Sequence, residues 1–320
     1  MRILNRPLTS VGRDQADGLL ALCALDPVGG ANLAHQLLRW NRWGHGDVVV
    51  AGRVGRPDGG AWATGSVIPF GLGARAELGH DGASRAQVRA LADHARRRLV
   101  NRGSVFGPVR DVEPVWQALA EGGTRSREER WNQPLLVSPP VAGGLTGRAL
   151  ARRPGLEWIA RVLRDAQLGE ESLVLPASVA MFTSELGYDP TSAGGSYARH
   201  VDWLVAMGRS YVVIDDGEGR PPLPGGPRSV AFKADVGALW SPPGQQPGVA
   251  QLTGVWTRPD LRGRGVASVA LAATVDAVRR DHVGPGGTVS LYVNDFNTPA
   301  LGLYRSLGFE QVGTFATVLL

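Results

Sequence analysis

The stretch GVWTRPDLRGRGVASVALAA, residues 254–273, decides how the rest of the chain is read. An apolar run reaches Pro259, turns through Gly263 and Gly265, and enters a helix-patterned segment at 263–282 with Val266, Ala270, Ala273 and Ala277 on one face. A strand that turns straight into a helix aims several unbonded backbone N–H groups at one point, and the positive end of the helix dipole adds to them. An anionic phosphate suits that point. Glycine keeps Cβ out of the ligand's path, Arg262 and Arg264 add charge, and Ser268 offers a hydroxyl. The spacing is not that of a P-loop, which needs Lys-Ser/Thr after its second glycine. Nor is it the dinucleotide fingerprint, which needs a third glycine.

Arg262-x-x-Gly265-x-Ala267 resembles the Q/R-x-x-G-x-G/A pyrophosphate loop of the GNAT acetyltransferase superfamily. Downstream, LYVNDFNTPALGLYRSLGF at 291–309 resembles the second signature of that superfamily in Asn297, Ala300, Tyr304 and Gly308-Phe309. Local chemistry supports a short helix there: Thr298 suits its cap, Pro299 its first turn and Gly308 its stop.

The resemblance, which covers roughly 157–320, implies an α/β (α+β) fold whose mixed, mostly antiparallel sheet is flanked by helices and holds a splayed parallel strand pair. Acetyl-CoA is then the cosubstrate and lies in the splay, between 248–257 and 288–294. The resemblance implies that backbone groups of Val255, Trp256 and Thr257 meet the pantetheine arm. Arg262, Gly263, Arg264, Gly265, Val266, Ala267 and Ser268 hold the pyrophosphate, and Asn294 and Asn297 hold the pantetheine or order the nearby turn. A neutral amine attacks the thioester, an N–H of the strand polarises the carbonyl, and Tyr304 protonates the departing thiolate. The usual strand carboxylate is missing, because Gln251 and Thr253 do not titrate usefully. Glu185 is the named base, with Asp235, the terminal carboxylate of Leu320 or a water chain as alternatives. No metal is expected, since His35, His45, His80, His94, His200 and His282 lack ligand spacing.

Outward from this core, the second half reads as a strand at 157–164, helices at 171–186 and 196–207, and strands at 210–215, 229–240 and 248–257. A strand at 288–294, a helix at 299–307 and a last strand at 310–319 complete it. The first half gives a similar order: two helices within 12–41, strands at 47–53 and 61–69 around the turn-rich RVGRPDGG, and a helix at 84–99. A strand near Ser104, a helix at 111–121 and a strand at 131–137 follow. SPPVAGGLTG, at 138–147, opposes both regular structures. The division is therefore 1–138, a linker at 139–150, and 151–320. The first half resembles the degenerate acetyltransferase-like domain of actinobacterial tandem proteins, which makes the fold a pair of GNAT-like domains. Its cradle position, ELGHDGASRAQVRAL at 77–91, lacks the Arg-x-x-Gly-x-Ala pattern, so it serves as a substrate wall or as an internal stand-in for a dimer partner.

Composition agrees with a globular protein. The 320 residues are 43% hydrophobic and 20% charged, which is enough apolar material for a large core. One cysteine, Cys23, excludes a disulfide-stapled fold and fits a reducing compartment. No apolar run is long enough to span a bilayer, and the N-terminus lacks the pattern of a signal peptide, so a cytoplasmic protein with no membrane partner is expected. The net charge of +5 favours polyanions without naming one. The partner expected is a small-molecule or peptide amine, and the aromatic residues Phe182, Tyr188, Tyr197 and Trp203 fall in the segments that wall the acceptor side. Two other readings stay open: a non-catalytic acyl-CoA sensor, and a transferase on the same fold that uses aminoacyl-tRNA.

Overall fold

The computed structural model describes residues 8–12, 15–43, 47–73, 83–101, 103–242, 244 and 248–320. The first half runs β1 (Thr9–Ser10), α1 (Asp17–Cys23), α2 (Ala31–Trp43), β2 (Asp47–Arg53), β3 (Arg56–Ala63), β4 (Val67–Phe70), α3 (Arg85–Arg96), β5 (Ser104–Pro108), α4 (Val109–Glu121) and β6 (Glu128–Val137). The second runs α5 (Leu145–Arg152), α6 (Glu157–Val162), β7 (Arg164–Asp165), α7 (Glu171–Leu186), α8 (Ser196–Ala206), β8 (Ser210–Asp215), β9 (Ser229–Trp240) and β10 (Val249–Thr257). It ends with α9 (Val266–Val278), β11 (Thr288–Tyr292), α10 (Thr298–Ser306) and β12 (Glu310–Leu319).

Strand alternation builds a sheet covered on both faces. On β2, Val48 and Val50 pack with Leu19, Leu33 and Leu37 of α1 and α2, while Val49 packs with Leu91 and Leu119 of α3 and α4. The strands form one twelve-stranded sheet in the order β1-β2-β3-β4-β5-β12-β6-β11-β10-β9-β8-β7. That order reads the same from either edge once the halves are matched: β1 with β7, β4 with β10, β5 with β11. At the centre the halves exchange strands. β12 pairs antiparallel with β5 and β6, and β6 pairs antiparallel with β11 and β12. Each half is therefore completed by the last strand of the other.

Four local expectations need correction. Residues 157–164 were expected as a strand, but 157–162 form helix α6, whose Ile159 is buried. The linker of 139–150 contains the start of α5, capped from 130 residues away: Asp276 accepts from the Leu145 and Thr146 amides at 2.9 and 2.8 Å. The turn placed at RVGRPDGG is shorter, because β3 already begins at Arg56 and pairs with Arg53. The long helix ends at Val278 and is followed by a π turn at Arg279–Val283. The first-half cradle position at 77–82, with His80, and also His45, lie outside the described residues. Among the described residues no helix is long and apolar enough to cross a membrane.

Candidate active site

β10 and β11 pair in parallel at Val249↔Thr288, Ala250↔Val289 and Gln251↔Ser290, and then part. β10 turns away through a bulge: its register to β9 jumps from Thr253↔Asp235 to Trp256↔Lys233, with Gly254 left-handed at φ +59°. β11 leans the other way, pairing Ser290–Tyr292 with β6. The gap opens into a cavity of about 830 Å³. Ligand sites commonly measure ~300–1,000 Å³, so a nucleotide-sized molecule fits. Val255, Trp256 and Thr257 border it on one side and Leu291–Asn294 on the other.

Past β10, the Arg258 guanidinium pins the turn, donating to both oxygens of the buried Asp215 at 2.7 and 2.8 Å and to Asp260 at 2.7 Å. Arg262 Nε then donates to the Thr257 carbonyl at 3.1 Å. Gly263 and Gly265 both take left-handed backbone, φ +73° and +85°, and α9 starts with no side-chain cap. The Ser268 amide turns back to the Gly265 carbonyl at 3.1 Å, and the two amides before it, of Val266 and Ala267, are left for a ligand. Of the predicted cradle residues, Arg262, Gly263, Gly265, Ala267 and Ser268 line the cavity. Arg264 is exposed outside the lining, and Val266 turns its side chain into the core. A guanidinium that sequence reasoning missed, Arg153, lies over the cradle: a Cβ on Gly265 would come within 2.9 Å of its Cδ. Nothing local in the sequence ties Arg153 to a turn more than a hundred residues away.

On α10, Tyr304 is buried and lines the cavity, with its ring 5.7 Å from that of Phe309. Burial, and then the nearby Glu185 carboxylate, hold its phenol well above the usual tyrosine range, so it carries its proton throughout the working pH range. Glu185, at the end of α7, reaches the same cavity with its side chain half exposed. Its Oε1 faces Arg130 Nη1 at 3.5 Å and accepts from Asn294 Nδ2 at 3.3 Å. Asn294 Oδ1 accepts in turn from Gln133 at 2.8 Å, and Gln133 Oε1 from Thr317 at 2.7 Å. Arg130 and Gln133 belong to β6, so the first half backs the wall residues Glu185 and Asn294 without itself lining the cavity.

Asn297 lines the cavity, but its side chain caps α10 by accepting from the Ala300 amide at 3.3 Å; the cap expected of Thr298 falls one residue earlier. Of the alternative bases, Asp235 is paired with Lys233 behind the strand. Leu320 packs against the first-half core beyond β12, away from the cavity. Of the aromatic residues expected near the acceptor side, Phe182 stands edge-on to Tyr188 and Tyr197 at 5.3 and 5.1 Å, Trp203 stacks on His200 at 6.0 Å, and none of the four lines the cavity. Met181, Ser184, Phe296 and Leu303 do, and were not anticipated. Among the described residues, no group of three or more His, Cys, Asp and Glu side chains is arranged to hold a metal.

Residues 229–309 match the Acetyltransferase (GNAT) family, and residues 46–142 match a domain of unknown function, DUF4081. A mycothiol acetyltransferase of Thermomonospora curvata is 28% identical over 268 residues, spanning 80% of this chain and 72% of its own. An acetyltransferase of the GNAT family from Colwellia psychrerythraea superposes with a TM-score of 0.53 at 12% identity, over 98% of this chain and 99% of its own. A tandem GNAT protein from the clavulanic acid biosynthesis pathway superposes with a TM-score of 0.51 at 14% identity, over 98% of both chains. With the parted strands and the glycine cradle in the second half, these matches show that residues 229–309 form a GNAT acetyltransferase domain and that the chain as a whole has the fold of tandem GNAT proteins.

Proposed function

We propose that this protein transfers the acetyl group of acetyl-CoA to a primary amine by direct attack, with the chemistry confined to residues 151–320. Residues 1–138 are then a degenerate GNAT-like domain that completes the sheet and supports the wall of the site from behind. The observation that carries this reading is the parting of β10 from β11 onto a cavity that ends at the glycine cradle. The fit of the cosubstrate rests on that cradle. Left-handed Gly263 and Gly265 leave it free of Cβ atoms, and Arg153 and Arg262 flank it for a diphosphate.

Bound acetyl-CoA supplies a thioester whose carbonyl carbon accepts the amine. The protein's residues do the rest. Exposed backbone N–H groups of the β10 bulge stabilise the carbonyl oxygen as it gains charge. Glu185 takes a proton from the attacking nitrogen, directly or through water, and Tyr304 gives one to the sulfur as the C–S bond breaks. Arg130 and Asn294 hold Glu185 at the cavity wall. The name of the Thermomonospora relative makes mycothiol-related amines the first acceptors to assay. The test is a mass-spectrometric screen of amine pools with isotope-labelled acetyl-CoA. The expected result is one labelled amide whose formation releases an equal amount of CoA thiol. Failure to label any amine while CoA still binds would overturn the catalytic assignment.

A further inference from the structure

Lys233 is an ammonium group with no exposed surface, placed on β9 directly behind the cavity wall. Its Nζ donates to Asp235 Oδ2 at 2.5 Å and faces the Gly254 carbonyl at 3.4 Å, while Asp235 Oδ1 accepts from the Ser210 hydroxyl at 2.7 Å. Both partners stand on β9, two residues apart, so the ion pair itself joins no strands, and apolar side chains of similar volume usually stabilise a buried position as well or better. What the pair touches explains it better than packing does.

It touches the bulge of β10. Gly254 and Val255 stand outside the ladder to β9, and Gly254 is left-handed. Any Cβ there would fall 2.7 Å from Asp235 Oδ2 and 3.1 Å from Lys233 Nζ, so the pair packs onto glycine itself. In a planar trans peptide the C=O of one residue and the N–H of the next point in opposite directions. With the Gly254 oxygen turned toward Lys233 on the β9 side, the Val255 N–H is turned toward the edge that β11 has left. Both residues line the cavity there.

The geometry points to Lys233 as a positioning residue for the oxyanion donor. It fixes the Gly254–Val255 peptide so that the Val255 N–H faces the thioester oxygen, and Asp235 and Ser210 hold the ammonium in place. This rests on the acetyl-CoA reading above and adds a residue to it. Because the charge sits on the carbonyl side of the same peptide, it also strengthens that N–H as a donor.

Isotope-edited infrared spectroscopy of [1-13C]acetyl-CoA bound to the full chain reads the donor without any acceptor. The wild type should shift the thioester carbonyl to lower frequency than in free acetyl-CoA. Lys233→Met, and the charge-neutral Lys233→Met/Asp235→Asn, should lose about half of that shift or more while the Kd for acetyl-CoA stays within about twofold. Asp235→Asn alone, which keeps the ammonium, should retain most of it. An unchanged frequency in the folded double variant would overturn the assignment. So would a shift that disappears only in step with acetyl-CoA affinity, because Lys233 would then merely hold the shape of the site. Absence of acetyl-CoA binding to the wild type would remove the donor reading itself, and this inference with it.

Discussion

Two parallel strand pairs occupy matching places in the two halves of the sheet, β4–β5 and β10–β11, and they part in different ways. Both separate after a short paired stretch; β4 and β5 meet only at Val67↔Val105. Beyond that point β10 runs from Leu252 to Thr257 without a proline, and the gap encloses about 830 Å³. Pro69 on β4 and Pro108 on β5 have no N–H to offer. Phe70, Phe106 and Phe315, the last from the exchanged β12, fill the space between them and leave about 30 Å³, room for one or two waters. The described start of the loop after β4, residues 71–73, differs in the same sense. Where the second half leaves its turn amides open, the first turns the buried Asp111 carboxylate onto the loop after β4, accepting from the Gly73 amide at 2.8 Å. Topology alone therefore does not make a coenzyme site. What matters is whether the gap keeps its amides and stays empty of side chains.

The largest effect expected is on the open gap. Tyr304→Phe removes the proton donor and should lower kcat by ~10²–10⁴-fold with the KM for acetyl-CoA little changed. Steady-state kinetics with the acceptor found in the amine screen decide it, and an unaltered kcat would remove Tyr304 from the chemistry. Next in size are the cradle guanidiniums. Arg262→Gln and Arg153→Gln should each weaken acetyl-CoA by ~10-fold, the scale of one charge-assisted hydrogen bond, whereas Arg98→Gln in the first half, bound to Asp47, should leave affinity unchanged.

Asp111 sharpens the contrast through pH. Burial pushes its carboxyl up to about 6, outweighing the backbone N–H donors and Arg110, which pull it down. A raised folded-state value means that the folded protein binds the proton more tightly than the unfolded chain does. The stability this group contributes is complete below the unfolded value of 3.8 and is lost as pH rises through about 6. Asp111→Asn should therefore gain on the wild type by about 2–3 kcal/mol between pH 4 and pH 7, as read by denaturant unfolding at each pH. A constant difference across that range would show that the carboxylate is not strained by its burial.

The smallest effect tests the support behind the wall. Arg130→Met should lower turnover severalfold through Glu185 without changing acetyl-CoA affinity, and Arg130→Lys should restore part of the loss.

What was legible in the sequence was local. The cradle, the helix after it and α10 could be read because their glycines, proline and arginine act within one turn of where they stand. Glu185, Tyr304 and Asn297 all line one cavity, and Asn297 also orders the start of α10 as its cap. The strand exchange was not legible, since no residue of β6 or β12 carries a mark of which half it will pair with. Nor was α5, whose N-terminal amides find their carboxylate on Asp276, in another helix. Helix α6 was misread because six residues with Trp158, Ile159 and Val162 suit a short strand and a short helix equally well. Arg153 and Lys233 were missed for the same reason as Asp276: their roles depend on partners distant in the chain or on a neighbouring strand.

Isothermal titration of the full chain with acetyl-CoA tests the central difference between the two gaps most directly. One molecule should bind per chain, and binding should disappear in Gly265→Val, which sets a β-branched side chain on left-handed backbone and drives its Cβ into Arg153. Two molecules per chain, or one that still binds after Gly265→Val, would contradict the assignment of an open second half and a filled first half.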